Sequence, residues 1–303
     1  MTPSLKGFKT YEQQVDLLIE RGMDVGDREK AIVQLQRVNY YRLSGYWYPF
    51  RRLTTSGKRA DDFHPGTSLD EVVALYDFDA RLRTATFDAL APVELALRAA
   101  IGHALGELHE CAHLRPELLS SRAHGASYQQ WIASYNGALG RAREDFVDHH
   151  KRRYGGTLPV WAAVEILDWG SLTYLFDFSP STVQSQVVDA VGLSSPQLRS
   201  WMKCLNLIRN TCAHHGRLFN RTHALTPKLP APGQSPDLDL VRPVMNRTFG
   251  QLSLIQYLRA QYGIPLSRML SAVIRSYPTQ VVRVPASHVG VPQGWKDSPL
   301  WAI

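Results

Sequence analysis

The chain has 303 residues, of which 44% are hydrophobic and 20% are charged, so its composition excludes a disordered or fibrous protein. Lys and Arg outnumber Asp and Glu by 34 to 27, which favours an anionic partner without identifying it. The three cysteines are too few for a disulfide framework. The first residues lead into polar sequence without an apolar signal core, and no stretch is apolar enough for a membrane helix, so we expect a cytoplasmic protein that does not cross a membrane.

Apolar residues recur at helical spacing along most of the chain, which predicts an all-α fold. The predicted helices cover residues 11–24, 27–43, 68 to about 108, 127–153, 159–177, 181–191, 196–215, 241–262 and 265–276. A polar loop at 54–67 precedes the third of them, which opens on a capping box of Ser68 and Glu71 and which Pro92 should kink or divide. We predict one all-α domain over residues 1–277 and an irregular C-terminal tail over 278–303, which wraps the surface or contains a short strand.

The predicted helix at 196–215 has the highest density of side chains suited to catalysis or binding. Ser195 and Pro196 are placed to start it and Gly216 to end it. At 100° per residue, one stripe is apolar and includes His215, which we therefore expect to face the core, while the opposite stripe is polar and contains Lys203, Asn206, Asn210, His214 and Arg217. Arg209 lies about 140° from His214 around the helix axis, so a straight helix keeps their side chains apart. Either the helix ends early or a second copy of the chain completes a site.

An Arg and a His on one surface suit RNA cleavage without a metal. Attack by a ribose 2′-OH on the adjacent phosphorus needs a side chain that titrates near neutrality and a permanent cation that holds the phosphate. Arg209 and His214 supply these two groups. The structural alternative is that both side chains stabilise the carbonyl groups at the C-terminal end of their helix.

The run Arg209-Asn-Thr-Cys-Ala-His214-His-Gly-Arg217-Leu-Phe-Asn220-Arg resembles the Arg-Asn-x-x-Ala-His-His-x-Arg-x-x-Asn signature of AbiD/AbiF-type abortive-infection proteins of the HEPN superfamily. The stretches at 39–50 and 158–172 resemble the same family. The resemblance implies a multi-helix HEPN-type bundle with additional N-terminal helices, phage defence, and a metal-independent endoribonuclease with an Arg-x4-His motif. Arg209 and His214 satisfy that motif, and Asn210 matches the polar residue that follows its Arg. Related proteins imply a homodimer in which two motifs meet, and some relatives work with a regulatory non-coding RNA.

Several further residues are candidates for binding RNA: Arg217, Lys203, Asn206, Arg221, Arg51 and Arg52. Arg51 and Arg52 belong to an aromatic block at 40–52, which core packing explains better than base stacking, and we expect these two arginines to be its more exposed members. Six arginines between positions 242 and 283, a span without Asp or Glu, line a phosphate-binding face or a solvated helix face.

Two alternatives to the nuclease stay open. The first is a catalytically silent HEPN module that binds RNA or a partner protein through the same surface. The second is a zinc hydrolase, because His109 and His113 fit the H-E-x-x-H spacing, although charges and Pro116 surround it where metalloprotease helices are apolar. The chain contains no P-loop and no dinucleotide-binding fingerprint, so we expect no cofactor.

Overall fold

The computed structural model describes residues 6–302 and confirms the all-α class. The helices are α1 (Tyr11–Glu20), α2 (Arg28–Arg37), α3 (Tyr40–Trp47), α4 (Leu69–Leu108), α5 (Ala126–Arg141), α6 (Asp145–Arg153), α7 (Val160–Ala163), α8 (Trp169–Phe178), α9 (Ser181–Asp189), α10 (Ser195–Ala213), α11 (Pro236–Asp239), α12 (Thr248–Gln261) and α13 (Arg268–Arg275). Two short strands, β1 (Arg51–Leu53) and β2 (Arg59–Phe63), form an antiparallel hairpin. The second strand lies within the predicted polar loop at 54–67. Within the described residues, no helix combines the length and apolar character of a membrane span.

Helix α4 is the axis of the core. It begins with the predicted capping box, in which the Ser68 hydroxyl accepts from the Glu71 backbone N–H and the Glu71 carboxylate accepts from the Ser68 N–H at 3.1 Å. Its 40 residues extend about 60 Å, and α3, α7, α9, α10, α12 and α13 pack along them. Pro92 does not divide the helix. Pro92 leaves the Asp88 carbonyl without its helical donor, and at the adjacent residue Arg259 Nη1 donates to the Ala89 carbonyl (2.8 Å).

Three predicted helices are each divided into shorter elements. The range 27–43 contains α2 and α3, 127–153 contains α5 and α6, and 159–177 contains α7, a 3-10 turn at 164–166 and α8. New caps explain two of the breaks, because Asn39 Oδ1 accepts from the Tyr41 N–H (2.8 Å) and Asp168 Oδ1 from the Ser171 N–H (2.6 Å). The N-cap of α10 is also one residue earlier than predicted, since Ser194 rather than Ser195 forms a capping box with Gln197.

The C-terminal segment packs into the same core as the helices. The predicted helix at 241–262 begins only at Thr248, after a 3-10 turn at 242–244. Residues 277–302 form turns and no strand, and Val281, Val284, Val289 and Leu300 are buried. Trp301 stacks on Phe249 of α12 with ring centroids 4.4 Å apart. The predicted tail is therefore packed against α12, and the alternative of a short strand is not formed within residues 277–302.

Candidate functional site

The chain leaves helix α10 through a Schellman motif at His214, His215 and Gly216. The Gly216 N–H donates to the Thr211 carbonyl (2.7 Å), and the His215 N–H donates to the Cys212 carbonyl (3.1 Å). His214 is the last residue with nearly helical backbone angles, at φ −97° and ψ 19°. These backbone donors satisfy carbonyl groups that the end of the helix would otherwise leave free.

His215 occupies the left-handed position of this motif, at φ 53°. Glycine is the usual residue there because a Cβ crowds the backbone. Gly216, predicted to end the helix, serves close approach instead, since a Cβ on it would lie 3.0 Å from Thr211 Cγ2. Because α10 ends before His215, that residue does not continue the apolar stripe and is exposed. The prediction that it faces the core is wrong.

Arg209 points from α10 onto helix α4. Its guanidinium carbon lies 5.6 Å from the centroid of the Phe87 ring, and its Nε lies 4.0 Å from Glu94 Oε2. The second distance is an ion pair but too long for a hydrogen bond. Glu94 also pairs with Arg98 at 2.5 Å, so two arginines share its charge. The Arg209 side chain is 31% exposed although its Nε is buried, so part of the side chain is accessible to a ligand.

A separate face of α10 points into solvent. It consists of Lys203, Leu207, Asn210 and His214, all of which are exposed. The sequence prediction named three of these side chains as polar groups and missed Leu207, whose 43% exposure places an apolar side chain among them. Within the described residues, neither the imidazole of His214 nor the guanidinium of Arg209 donates a hydrogen bond to a carbonyl group at the end of α10.

Two predicted RNA-binding residues lie elsewhere than on this face. Asn206 is half-buried beside the start of α8, where a Cβ added at Gly170 would lie 3.5 Å from its Nδ2. Arg217 lies beyond the end of the helix, and its Nη1 donates to the carbonyl of Gly45 in α3. Asn206 therefore belongs to the predicted polar stripe but is partly covered by α8, whereas the assignment of Arg217 to the stripe is wrong because α10 stops before it.

Helix α3 holds the backbone that follows His214. Arg42 Nη1 donates to the His215 carbonyl (2.5 Å), and one turn along α3 the guanidinium of Arg217 rests against Gly45. A Cβ at Gly45 would lie 3.3 Å from Arg217 Nη1, so glycine permits this close approach. The two segments that carried the sequence resemblance at 39–50 and 209–221 are thus in direct contact.

A buried carboxylate on α4 anchors the next two residues. Asp79 Oδ1 accepts from the Phe219 N–H (2.7 Å), and Oδ2 accepts from the Leu218 N–H (3.3 Å), the Tyr46 hydroxyl (2.6 Å) and Arg83 Nη1 (2.5 Å). Burial raises the pKa of the Asp79 carboxyl, but hydrogen bonds and the charge of Arg83 oppose that shift. Four donors directed at two oxygens leave little room for a carboxyl proton, so we treat Asp79 as ionised.

Asn220 completes the segment with a second strained backbone conformation, at φ 48°. Its Oδ1 accepts from Arg247 Nη2 (3.1 Å), and the neighbouring Leu218 carbonyl accepts from the Thr248 hydroxyl (2.7 Å). Among residues 6–302, His215 and Asn220 are the two non-glycine residues with positive φ. Strain of this kind persists only where the surroundings over-determine it, and it concentrates at functional sites.

The sequence model of a family described as Abi-like protein matches residues 33–220. The chain belongs to this abortive-infection family. The matched region of the Abi-like chain includes α3, the anchor at Asp79 and the complete run from Arg209 to Asn220. It ends before Arg247 and Thr248, the residues that hold the end of that run. No solved structure matches the chain.

The other predicted RNA-binding arginines of this Abi-like protein have different surroundings. Arg221 and Arg52 are exposed, as expected of cations that meet phosphates. Arg51 is only partly exposed and pairs with Asp61 at 3.2 Å, so the expectation that it is one of the more exposed members of the aromatic block is wrong. The core-packing interpretation of the surrounding aromatic block is right for Tyr46 and Trp47, which are buried, and wrong for Tyr41 and Tyr48, which are exposed.

Most of the six C-terminal arginines hold the fold together. Arg242, Arg247, Arg259 and Arg275 donate to the backbone carbonyls of Pro230, His288, Pro265 and Trp301, respectively. Arg268 and Arg283 are exposed. A continuous phosphate-binding face along 242–283 is therefore not formed.

The H-E-x-x-H spacing does not lie on a helix. Helix α4 ends before His109, whose Nδ1 accepts from the Cys111 N–H (2.9 Å), and His113 lies in a 3-10 turn. His113 is buried against Tyr135, with ring centroids 5.2 Å apart. Within residues 6–302 no group of three or more His, Cys, Asp or Glu is arranged to hold a metal. The helical zinc site required by the hydrolase alternative is therefore not formed.

Proposed function

We propose that this abortive-infection protein cleaves RNA without a metal, and that Arg209 and His214 carry the reaction. The observation that supports this most is the setting of His214, an exposed imidazole at the end of α10, followed at once by a strained backbone that Arg42, Arg217 and Asp79 hold in place. A catalytic group must be held in place and still reach its substrate; the anchored backbone after His214 serves the first requirement and the exposure of its imidazole serves the second.

Burial excludes two other histidines from this role. Burial lowers the pKa of His113 and of His223 to about 4, so neither ring takes up a proton near neutral pH, and neither is accessible to RNA. A proton shuttle needs an imidazole that changes its charge near neutrality in contact with the reacting atoms.

In the proposed reaction, the ribose 2′-oxygen forms a bond to the adjacent phosphorus and the bond from phosphorus to the 5′-oxygen breaks. The His214 imidazole accepts the proton of the 2′-OH, and a protonated imidazole or water supplies a proton to the leaving 5′-oxygen. Arg209 stabilises the extra negative charge on the phosphorane, because its guanidinium donates to two oxygens at once. The products are a 2′,3′-cyclic phosphate, or its hydrolysis product, and a 5′-hydroxyl.

One chain does not direct both groups to the same place. Arg209 points toward Phe87 and Glu94 of α4, whereas His214 belongs to the exposed face with Lys203, Leu207 and Asn210. We therefore propose a homodimer in which the α10 helices of two chains face each other, so that His214 of one chain approaches Arg209 of the other. Leu207 supplies apolar contact at the centre of this face. Asn210 orients the phosphate or one of the two catalytic groups.

Cleavage of mixed RNA in excess EDTA tests the chemistry. We expect wild-type protein to cleave under chelation and His214→Ala to lose about 10²–10⁴ in rate. His103→Ala is the matched control, because His103 is 80% exposed on α4 and remote in sequence from the motif. Equal cleavage by wild type and His214→Ala would contradict the assignment, as would activity that chelation abolishes. Retention of RNA without any cleavage would favour the silent binding module.

Mixing two inactive variants tests the shared site. Arg209→Ala and His214→Ala homodimers each lack one group at both sites, whereas a mixed dimer retains one site with both groups. We expect partial recovery of cleavage on mixing and a dimer mass by light scattering at micromolar concentration. A monomer that still cleaves RNA would refute the shared site and leave the roles of the two residues open to the single-variant test.

A further inference from the structure

A groove of about 1170 Å³ lies on the N-terminal side of helix α3. The segment at 6–12, helix α1 and the end of α2 form one wall, and Tyr40, Tyr41 and Ser44 of α3 form the other. Small-molecule sites usually occupy about 300–1,000 Å³. The groove is slightly larger than this range, so its size suits a short stretch of a polymer better than a compact metabolite.

The charge of the groove favours an anion. Its lining contains five cationic side chains, Lys6, Lys9, Arg21, Arg37 and Arg51, and one acidic side chain, Glu12. Arg21 and Arg51 share the carboxylate of Asp61 at 3.3 and 3.2 Å. Within the described residues, Lys6, Lys9 and Arg37 form no ion pair and are exposed. Three cations are thus available to successive phosphates.

Aromatic rings stand exposed among these cations. Phe8 is 91% exposed, Tyr41 67% and Tyr11 41%, and all three line the groove. Exposed rings beside a basic groove are the recurrent arrangement by which proteins bind single-stranded nucleic acids, because every base can stack on a ring while the backbone follows the cations. Cations and aromatic rings also attract anionic membranes, but a membrane-surface element is usually one amphipathic helix with a continuous apolar face, whereas several elements share the lining of this groove.

Helix α3 connects the groove to the motif. Tyr41 and Ser44 line the groove, whereas the neighbouring residues Arg42 and Gly45 contact the His215 carbonyl and Arg217. A helix is about 10–12 Å across with its side chains, so only that thickness separates the two surfaces. Exposed Arg42 lies between them and offers a cation to a strand that passes from one to the other.

From these observations we propose that the groove between the N-terminal segment and α3 binds single-stranded RNA, with Phe8 and Tyr41 stacking on bases and Lys9 and Arg37 contacting phosphates. The binding itself stands on the groove alone. Its use as the path of the cleaved strand rests on the proposed function. The ligand is either that strand or a separate regulatory RNA, and the two have the same chemistry.

Fluorescence anisotropy with an RNA of about 12 nucleotides carrying 2′-O-methyl groups measures binding without cleavage, because the blocked 2′-oxygen cannot attack. We expect Phe8→Ala and Tyr41→Ala each to weaken binding roughly 5- to 100-fold. Lys9→Glu combined with Arg37→Glu should lower the slope of log Kd against log salt concentration by about 1.4. Because these side chains are exposed, the thermal midpoint should not change.

Matched controls are Tyr174→Ala on α8, whose side chain is 52% exposed, and Arg152→Glu on α6, which is also exposed. Unchanged affinity in the groove variants, or an equal loss in the controls, would overturn the proposal. Binding to vesicles of anionic phospholipid that exceeds RNA binding and disappears in the same variants would also overturn it in favour of a membrane surface.

Cleavage assays distinguish the two sources of RNA. If the groove holds the strand that is cut, Tyr41→Ala should reduce kcat/KM more for a long oligonucleotide than for a dinucleotide. If the groove holds a separate RNA, Tyr41→Ala should reduce kcat/KM by the same factor for both substrate lengths. The same variant should also lose binding of the methylated RNA. Groove-dependent binding without cleavage by wild-type protein would contradict the proposed function and support the groove. Cleavage by the wild-type protein, together with unaltered RNA binding in the groove variants, would support the proposed function and contradict the groove.

Discussion

Replacing Asp79 with alanine should destabilise the protein severely, because four donors depend on one buried carboxylate. The Arg83 guanidinium, with a side chain only 7% exposed, would be left without its partner. Removing one member of a buried ion pair costs about 3–5 kcal/mol. The backbone N–H groups of Leu218 and Phe219 would also lose their acceptor, at about 1–3 kcal/mol each when buried and unpaired.

These contributions overlap, and we expect a total loss of about 4–6 kcal/mol in the free energy of unfolding. A domain is typically stable by only about 5–15 kcal/mol, so the variant should be marginal and its Tm should fall by roughly 10–20 °C. Urea unfolding followed by circular dichroism measures the loss. Asp77→Ala is the matched control, since Asp77 lies on the same helix and is exposed, and it should change stability by about 0.5 kcal/mol or less.

The double variant Asp79→Ala, Arg83→Met separates the two contributions. Removing the cation eliminates the unpaired charge but not the unpaired N–H groups of residues 218 and 219, so roughly half of the loss should be recovered. Complete recovery would show that anchoring of the motif segment contributes nothing. A loss below about 1 kcal/mol in Asp79→Ala alone would refute the argument altogether.

Two further predictions concern histidines. His215→Gly should raise the free energy of unfolding by about 0.5–1 kcal/mol, because glycine adopts φ 53° without strain, and a lower Tm would contradict the Schellman assignment. Burial holds the pKa of His113 and of His223 at about 4 in the folded state, so each ring is protonated more readily when the chain unfolds. The contribution of these neutral rings to the free energy of unfolding is complete above about pH 6.5 and is lost as the pH falls toward 4. By pH 5 the free energy of unfolding should fall by about 2 kcal/mol per histidine. The urea midpoint should therefore be lower at pH 5 than at pH 7, and His113→Leu should reduce that difference because it removes one of the two titrating rings. Leucine can replace this ring, since neither ring nitrogen of His113 has a hydrogen-bond partner in the described chain.

Local signals in the sequence predict the start of α4 well. The capping box of Ser68 and Glu71 involves residues three positions apart, and it forms as predicted. The break between α2 and α3 depends on the same kind of contact at Asn39, but the apolar periodicity continues through it and conceals it. Helix existence was therefore predictable, whereas three internal helix boundaries were not.

The candidate site depends on contacts that are distant in sequence. Arg209, Asn210 and His214 can be selected from the motif alone, but the outward position of His215 follows from the early end of α10 and from Arg42, 173 residues away. The anchoring role of Asp79 involves backbone groups about 140 residues later. An Asp within the buried stripe of a long helix, four residues before an Arg, is the signal that could have identified it.

The contacts of Asn220 determine when, during synthesis of the chain, the run from Arg209 to Asn220 gains its supporting residues. Its side chain is held by Arg247, which in turn donates to the carbonyl of His288 near the end of the described chain. Bacterial and eukaryotic ribosomes add about 5–20 residues per second, so roughly 3–14 s separate the synthesis of these two points. During that interval the residues from Arg209 to Asn220 already exist but lack their last supports. A ribosome-bound chain would therefore lack these supports of the motif until Arg247 and His288 have been added.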